Sequence, residues 1–287
     1  MSVNTCLVRA RQWAQKRSRW RSIICFEDND SRQDIARDLY EQAAQMSRDM
    51  EVAGNIVLEM IAMLPNLTRS EKIYWLQKAT SYHGRHLREN KTEDVLNMVM
   101  RTNNQLVEHL EASSDDLRAA QVIETLFDSW PLMPSGCAEQ LLGKAYALSK
   151  SSDSRLFVQM RIGQKFATLL GQMKRYIEAA VEFETLASLA QTDNCLKYTT
   201  QCFVLKAGLC RLANGETVLP DYINLFPTLT SELQIIYDLL ECLEVAPVTT
   251  KHKIHLQNDP WIIDLLLEIK KRKESVANGE NDMSCYL

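Results

Sequence analysis

From Asp30 to Lys273 apolar residues return at intervals of three and four, and little interrupts the run. That spacing puts them on one face of an α-helix and cannot line one face of a strand. Nine glycines and seven prolines in 287 residues leave too few turn-formers for an all-β chain. The breaks fall at Pro65-Asn66, Pro131 to Gly136, Gly215, Pro220, Pro227 and Pro247, none of them long enough for an interdomain linker. Within the run, Ser31-Arg32-Gln33-Asp34 opens a helix whose Ile35, Leu39, Ala43 and Met46 form the expected apolar stripe. Ser70 before Glu71 and Ser114 before Asp115-Asp116 read as N-caps, with acids at the positive helix end.

A weak internal repeat organises these helices. Ala36-x3-Tyr40-x2-Ala43, Ala179-x3-Phe183-x2-Leu186 and Val218-x3-Tyr222-x2-Leu225 share one spacing: small or branched, then aromatic, then apolar. Leu170-Gly171 and Tyr176, just before the second copy, read as the end of one helix and the start of the next. A small residue lets two helices approach, and the aromatic fills the gap between pairs. The expected fold is all-α: a right-handed superhelical array of antiparallel helix pairs, tetratricopeptide-like, with a C-terminal helical bundle. The expected segments are a basic and apolar leader at 1–29, the array at 30–230, the bundle at 231–273 and a flexible tail at 274–287.

Residues that carry chemistry are sparse. His83 and His86, and His252 and His255, stand three apart, which would allow two ligands on one helix face, but neither pair has a Cys or HExxH-type companion. They read as solvated histidines. Asp28-Asn29-Asp30 lacks the glycine and distal glutamate of a calcium loop, and Asp115-Asp116 is better explained as a helix start. No GxxxxGK[ST], GxGxxG or GxSxG is present. No catalytic, cofactor-binding or metal-ligating residue is assigned, no cofactor is implied, and the chain is read as a non-enzyme. The eight cysteines are scattered singly, as expected of reduced and mostly buried thiols.

Charge is distributed unevenly. Residues 1–26 hold six Arg or Lys and no acid, while the rest carries 27 basic against 37 acidic groups. An acidic body argues against a general nucleic-acid binder. The basic stretch is followed only by Ile23 to Phe26, too short for a signal peptide, and no window approaches the ~18 apolar residues of a membrane span. The chain is therefore expected in the cytoplasm. Trp20, Ile23, Ile24 and Phe26 beside Arg21 suit either a membrane interface or a first helix packed on the array. At the other end Lys270-Lys271-Arg272-Lys273 reads as the close of the last helix, suited to its negative end, with Asn278-Gly279 as a stop.

Five blocks in order then resemble the C-terminal third of alpha-type soluble NSF attachment proteins: Leu196-Lys197-Tyr198, Lys206 to Cys210, Tyr222 to Pro227, Leu239-Leu240-Glu241, and Trp261 leading to Leu265 through Lys271. Tyr40 to Ala44 and Ala53-Gly54-Asn55 resemble the family's first helical repeat. The resemblance implies an adaptor in vesicle fusion and intracellular protein transport. Such an adaptor wraps an assembled four-helix SNARE bundle of the syntaxin type and recruits the NSF hexamer, which disassembles it. It implies peripheral contact with anionic membrane on the cytosolic face through the segment holding Trp20, Ile23, Ile24 and Phe26. It also implies SNARE contacts by basic residues, here Arg155, Arg161 and Lys165, and NSF contacts by Glu280, Asp282 and Leu287. Two departures stand out: Gln121 lies near an expected lysine, and Met283-Ser284-Cys285-Tyr286 replaces a dense acidic run. The alternative is a tetratricopeptide-like scaffold, or an inhibitory paralogue that binds SNAREs or another helical partner without productive NSF recruitment.

Overall fold

The computed structural model describes residues 2–15, 29–130, 133–151, 156–216, 220, 222 and 260–283. Every regular element among them is helical. The chain divides into two compact units, Met1–Leu132 and Met133–Leu287, at the Pro131 to Gly136 break. The first unit holds α1 (Val3–Gln15), α2 (Asn29–Met46), α3 (Met50–Met63), α4 (Arg69–Glu89), α5 (Glu93–Glu111) and α6 (Asp116–Ser129). The second holds α7 (Ser135–Ser151), α8 (Leu156–Gln172), α9 (Tyr176–Gln191), a short 3₁₀ turn (Lys197–Thr199), α10 (Thr200–Asn214) and α11 (Pro260–Met283). Within each unit consecutive helices from α1 to α6 and from α7 to α10 pack on one another, and α10 also packs on α11. Where the connection is short, as between α3 and α4 or α8 and α9, the two helices are antiparallel.

The expected repeat supplies core. Ala36, Tyr40 and Ala43 on α2 are fully buried, as are Ala179, Phe183 and Leu186 on α9 and the side chain of Tyr222. The buried face of α2 is thus rotated from the expected stripe: Ile35 and Met46 are exposed, and Ala36 and Ala44 are buried in their place. Alanine permits close approach to α1 and α3, an advantage that outweighs the greater apolar area of the bulkier residues.

A tyrosine at the aromatic position of the repeat brings a hydroxyl into the core, and that hydroxyl needs an acceptor. Both units supply it in the same way. Tyr40 Oη donates to Glu59 Oε1 at 3.0 Å, and Arg11 clamps the same carboxylate through Nε at 2.6 Å and Nη2 at 2.7 Å. In the second unit Tyr222 Oη donates to Glu184 Oε1 at 2.6 Å. Arg211 holds that carboxylate through Nε at 2.7 Å and Nη2 at 3.0 Å, and also reaches Glu216 at 2.9 Å. Each clamp ties helices together through one carboxylate: α1, α2 and α3 at Glu59, and α9 with α10 at Glu184. The guanidinium holds the Glu59 carboxyl below the ordinary carboxylate range.

Helix ends follow local chemistry with small shifts from expectation. The cap of α4 is Thr68, not Ser70: its hydroxyl accepts from Glu71 N while the Glu71 carboxylate takes Thr68 N at 2.8 Å, a reciprocal capping box. The cap of α6 is Asp115 rather than Ser114, which adopts a positive φ of 56° and turns the chain instead. At the far end α11 does not stop at Lys273 or at Asn278-Gly279 but continues to Met283. Extending a helix costs little once it is nucleated, and one glycine costs only about 1 kcal/mol. The basic cluster consequently lies inside the helix. Its Arg272 Nη1 donates to Asn214 O at 2.8 Å and so caps the carbonyl end of α10 rather than its own helix. Of the expected C-terminal bundle, 231–259 lies outside the described residues, as do 284–287 of the expected tail.

Replacing Arg211 with Ala strips Glu184 of its bidentate partner beneath a buried tyrosine. It should lower the unfolding free energy by about 2 kcal/mol, read as a lower denaturant midpoint, and Arg211→Lys should recover only part of the loss. An unchanged midpoint for Arg211→Ala would show that the clamp contributes nothing.

Candidate functional site

The described residues with functional expectations lie on α8 and α11. On α8, Val158, Ile162, Ala167 and Leu170 are buried, which turns the opposite side outward. That outward side carries Phe157, Arg161 and Lys165 at four-residue intervals, one above the other on the helix. Phe157 is 60% exposed, and the Arg161 guanidinium lies 5.7 Å from its ring centre. The arrangement is a short aromatic and cationic stripe. It offers an apolar contact beside two positive charges and has no nucleophile or acid–base pair. Arg155 lies outside the described residues, as do Trp20, Ile23, Ile24, Phe26 and Leu287. Glu280 and Asp282 fall on the last turns of α11.

The stripe is held from behind by close packing against α8. Gly171 faces the Trp261 indole of α11, and a Cβ there would come within 2.4 Å of the ring. Gly163 likewise faces Tyr146 of α7 and Leu186 of α9, at 2.6 and 2.8 Å. Trp261 also packs on Phe183, with ring centres 5.6 Å apart. Lys206 on α10, only 3% exposed, sets its ammonium 5.6 Å from the Trp261 ring and 5.9 Å from the Phe183 ring. Rings that face a cation in a dry environment attract it through their quadrupoles. Burial pushes the neighbouring Cys210 thiol up to about 12, which leaves it protonated and inert at neutral pH.

Sequence reasoning does not single out Phe157 or the buried Lys206. The four-residue step from Phe157 to Arg161 is a readable signal for the first. For Lys206 no sequence signal exists, because a lysine on an apolar helix face is ordinarily one that reaches back to water.

The histidine pair on α4 departs from expectation. His83 and His86 are buried rather than solvated, His83 completely. His83 Nδ1 lies 3.0 Å from Thr102 Oγ1 on α5, and that hydroxyl donates to Met98 O at 3.1 Å. The hydroxyl therefore accepts from Nδ1–H, which fixes the imidazole tautomer. The ring fills space left by Gly54 of α3, where a Cβ would come within 2.1 Å of it. This is packing, and it explains a glycine in mid-helix. His252 and His255 lie outside the described residues. Among the described residues no cluster of three or more His, Cys, Asp or Glu could hold a metal ion. Of the five described cysteines, Cys6 and Cys210 are buried while Cys195 and Cys202 are exposed, so burial is less general than expected. Among the described residues no helix is long and apolar enough to cross a membrane.

Residues 143–274 match the family model described as soluble NSF attachment protein, SNAP. The matched stretch contains α8, α9, α10 and the Trp261 turn of α11, which are the stripe and its supports. Over this stretch the chain is similar to the soluble NSF attachment protein family. It is 29% identical over 147 residues to a probable vesicular-fusion protein sec17 homolog of Schizosaccharomyces pombe, a match covering 47% of this chain and 50% of that protein. It is 26% identical over 131 residues to the beta-soluble NSF attachment protein of Bos taurus, covering 42% and 44%. To the alpha-soluble NSF attachment protein of Vitis vinifera it is 26% identical over 133 residues, covering 42% and 46%. The chain thus spans about half the length of the curated relatives it matches, at identities of 26–29%. The N-terminal stretch 40–55, also expected to resemble the family, lies outside the family-model match.

Burial holds His83 down at about 4, from an ordinary 6.5, and the adjacent His86 pushes the same way. The neutral form is therefore the one that folds. Between those two pH values the unfolded chain binds a proton that the folded chain refuses, so stability falls as pH falls, by about 1.4 kcal/mol per unit from this group alone. Denaturant midpoints measured from pH 7.5 downward should decline more steeply for the native protein than for His83→Gln. Parallel declines would place the titration elsewhere.

Proposed function

We propose that this protein is an adaptor without enzymatic chemistry, one that binds an assembled syntaxin-type SNARE four-helix bundle and recruits the NSF hexamer to disassemble it. The setting is vesicle fusion and intracellular protein transport, on the cytosolic face of membranes. The observation that carries the reading is the family match over 143–274, which falls on the helices that present and support the α8 stripe. A rigid helix bearing Arg161, Lys165 and an exposed Phe157 fits an elongated partner with acidic flanks and apolar seams: the charges steer the encounter and the ring buries area. Arg155 belongs to the same proposed basic set. Trp20, Ile23, Ile24 and Phe26 supply the proposed peripheral contact with anionic lipid, and Glu280, Asp282 and Leu287 the proposed contact with NSF.

A second reading is a variant that binds SNAREs without productive NSF recruitment. It is favoured by the tail, where Met283-Ser284-Cys285-Tyr286 leaves Glu280 and Asp282 as the acids of the last eight residues.

Binding of the full chain to a purified, assembled SNARE bundle tests the leading reading. The double reversal Arg161→Glu with Lys165→Glu should weaken binding about tenfold at low salt, with the gap narrowing as ionic strength rises. Phe157→Ala should weaken it at all salt concentrations. Equal binding by all three proteins would remove α8 from the interface, and no binding by the native chain would leave only the scaffold reading.

A further inference from the structure

The first unit contains a cavity of about 490 Å³, a volume suited to a small ligand. One wall is α4, the other is α6, and α5 forms the floor. Apolar residues of all three helices, Leu87, Val99, Leu106 and Leu126, lie beneath it almost fully covered, and apolar atoms still make up most of the lining. The charged groups that line the cavity are Arg85, Arg88 and Arg118, and among the described residues no Asp or Glu lines it.

Two of the three arginines are on α4, and the third, Arg118, is on α6. On α4, Arg85 and Arg88 sit three residues apart on one face and make no ion pair with another described residue. Across the gap Arg118 is braced by Gln77, to whose Oε1 it donates at 3.1 Å, with Asp115 3.8 Å away. On α6 the Thr125 hydroxyl donates to Gln121 O at 2.8 Å and the Ser129 hydroxyl to Thr125 O at 2.7 Å. Both hydroxyls have committed their protons to the helix, so what they offer the cavity is lone pairs. Thr80, on α4, has a buried hydroxyl with no hydrogen-bond partner among the described residues.

The Arg85 and Arg88 guanidinium forks on α4 call for phosphate, which such forks take bidentately. Accepting hydroxyls on the other wall call for a ligand that donates, and phosphate alone has little to donate. Among the described residues no aromatic ring lines the cavity, so none there would stack a nucleobase. We propose that this cavity binds a phosphorylated polyol of the inositol-phosphate class, with Arg85 and Arg88 on its phosphates and Thr125 and Ser129 accepting from its ring hydroxyls. The ligand chemistry is the same whether the polyol is free or is the headgroup of a lipid. The proposal is independent of SNARE or NSF engagement, because it rests on α4, α5 and α6 alone.

Gly84 provides a test that does not threaten the fold. It lies on the cavity wall, and a Cβ built there meets nothing within 4 Å. Leucine is also a better helix former than glycine, so Gly84→Leu should fill the cavity and keep or raise the melting temperature. The full chain would be titrated calorimetrically with inositol 1,4,5-trisphosphate and with inorganic phosphate. Its binding to phosphatidylcholine vesicles, with and without phosphatidylinositol 4,5-bisphosphate, would be measured by co-flotation. Expected are saturable one-to-one binding of the trisphosphate, weaker binding of inorganic phosphate, and at least a tenfold loss in both Gly84→Leu and Arg85→Gln/Arg88→Gln. Phosphoinositide vesicles that float the native chain but not Gly84→Leu would assign the headgroup as the source, and trisphosphate binding without flotation would assign the free polyol. Absence of saturable binding in every arm, binding undiminished in both variants, or equal affinity for inorganic phosphate would overturn the proposal.

Discussion

A helix packed among helices can bury its apolar face only on its neighbours, and how closely two helix backbones approach decides what fits between them. Here the approach is set by small residues facing large rings. Ala36 and Ala43 flank Tyr40, Gly54 receives His83, Gly163 receives Tyr146 and Leu186, and Gly171 receives Trp261. Each ring occupies volume that a single methyl group on the opposing helix would take away. The outward stripe on α8 depends on this directly, since Gly163 and Gly171 both lie on that helix and seat it against its neighbours.

Rings that carry a polar atom bring a second requirement. The Tyr40 and Tyr222 hydroxyls each reach a carboxylate held by a bidentate arginine, and the two clamps are built alike although they occupy separate units. A buried phenol without an acceptor would forfeit about 1–3 kcal/mol, so the tyrosine of the repeat and the Glu–Arg pair form one device. The Arg272 side chain acts comparably at a helix end, where it satisfies a terminal carbonyl of α10 from outside that helix.

Much of this is legible in the order of the amino acids alone. Periodicity and the scarcity of glycine and proline point to a helical array. The repeat picks out Ala36, Tyr40, Ala43, Ala179, Phe183 and Leu186, all of which are buried. The five C-terminal blocks point to the family whose model matches residues 143–274. Features decided by three-dimensional neighbours are the ones that stay hidden. His83 reads as solvated because nothing in its own helix reveals that Gly54 leaves room for it. Arg272 reads as serving its own helix because the end of α10 is distant in sequence. The cavity between α4 and α6 has no local signature at all: its arginines are ordinary helix-surface residues until the second wall is present.

The similarity to soluble NSF attachment proteins over 143–274 and the basic and aromatic stripe on one well-supported helix are what support the proposal that this chain couples a SNARE bundle to NSF. The most direct measurement is disassembly of a purified SNARE complex by NSF and ATP, with this protein as the sole adaptor. The account predicts ATP-dependent disassembly that is lost when Glu274 to Leu287 are deleted. A complex that stays assembled with the intact chain bound to it would contradict the claim and would mark the protein as a SNARE binder that does not engage NSF.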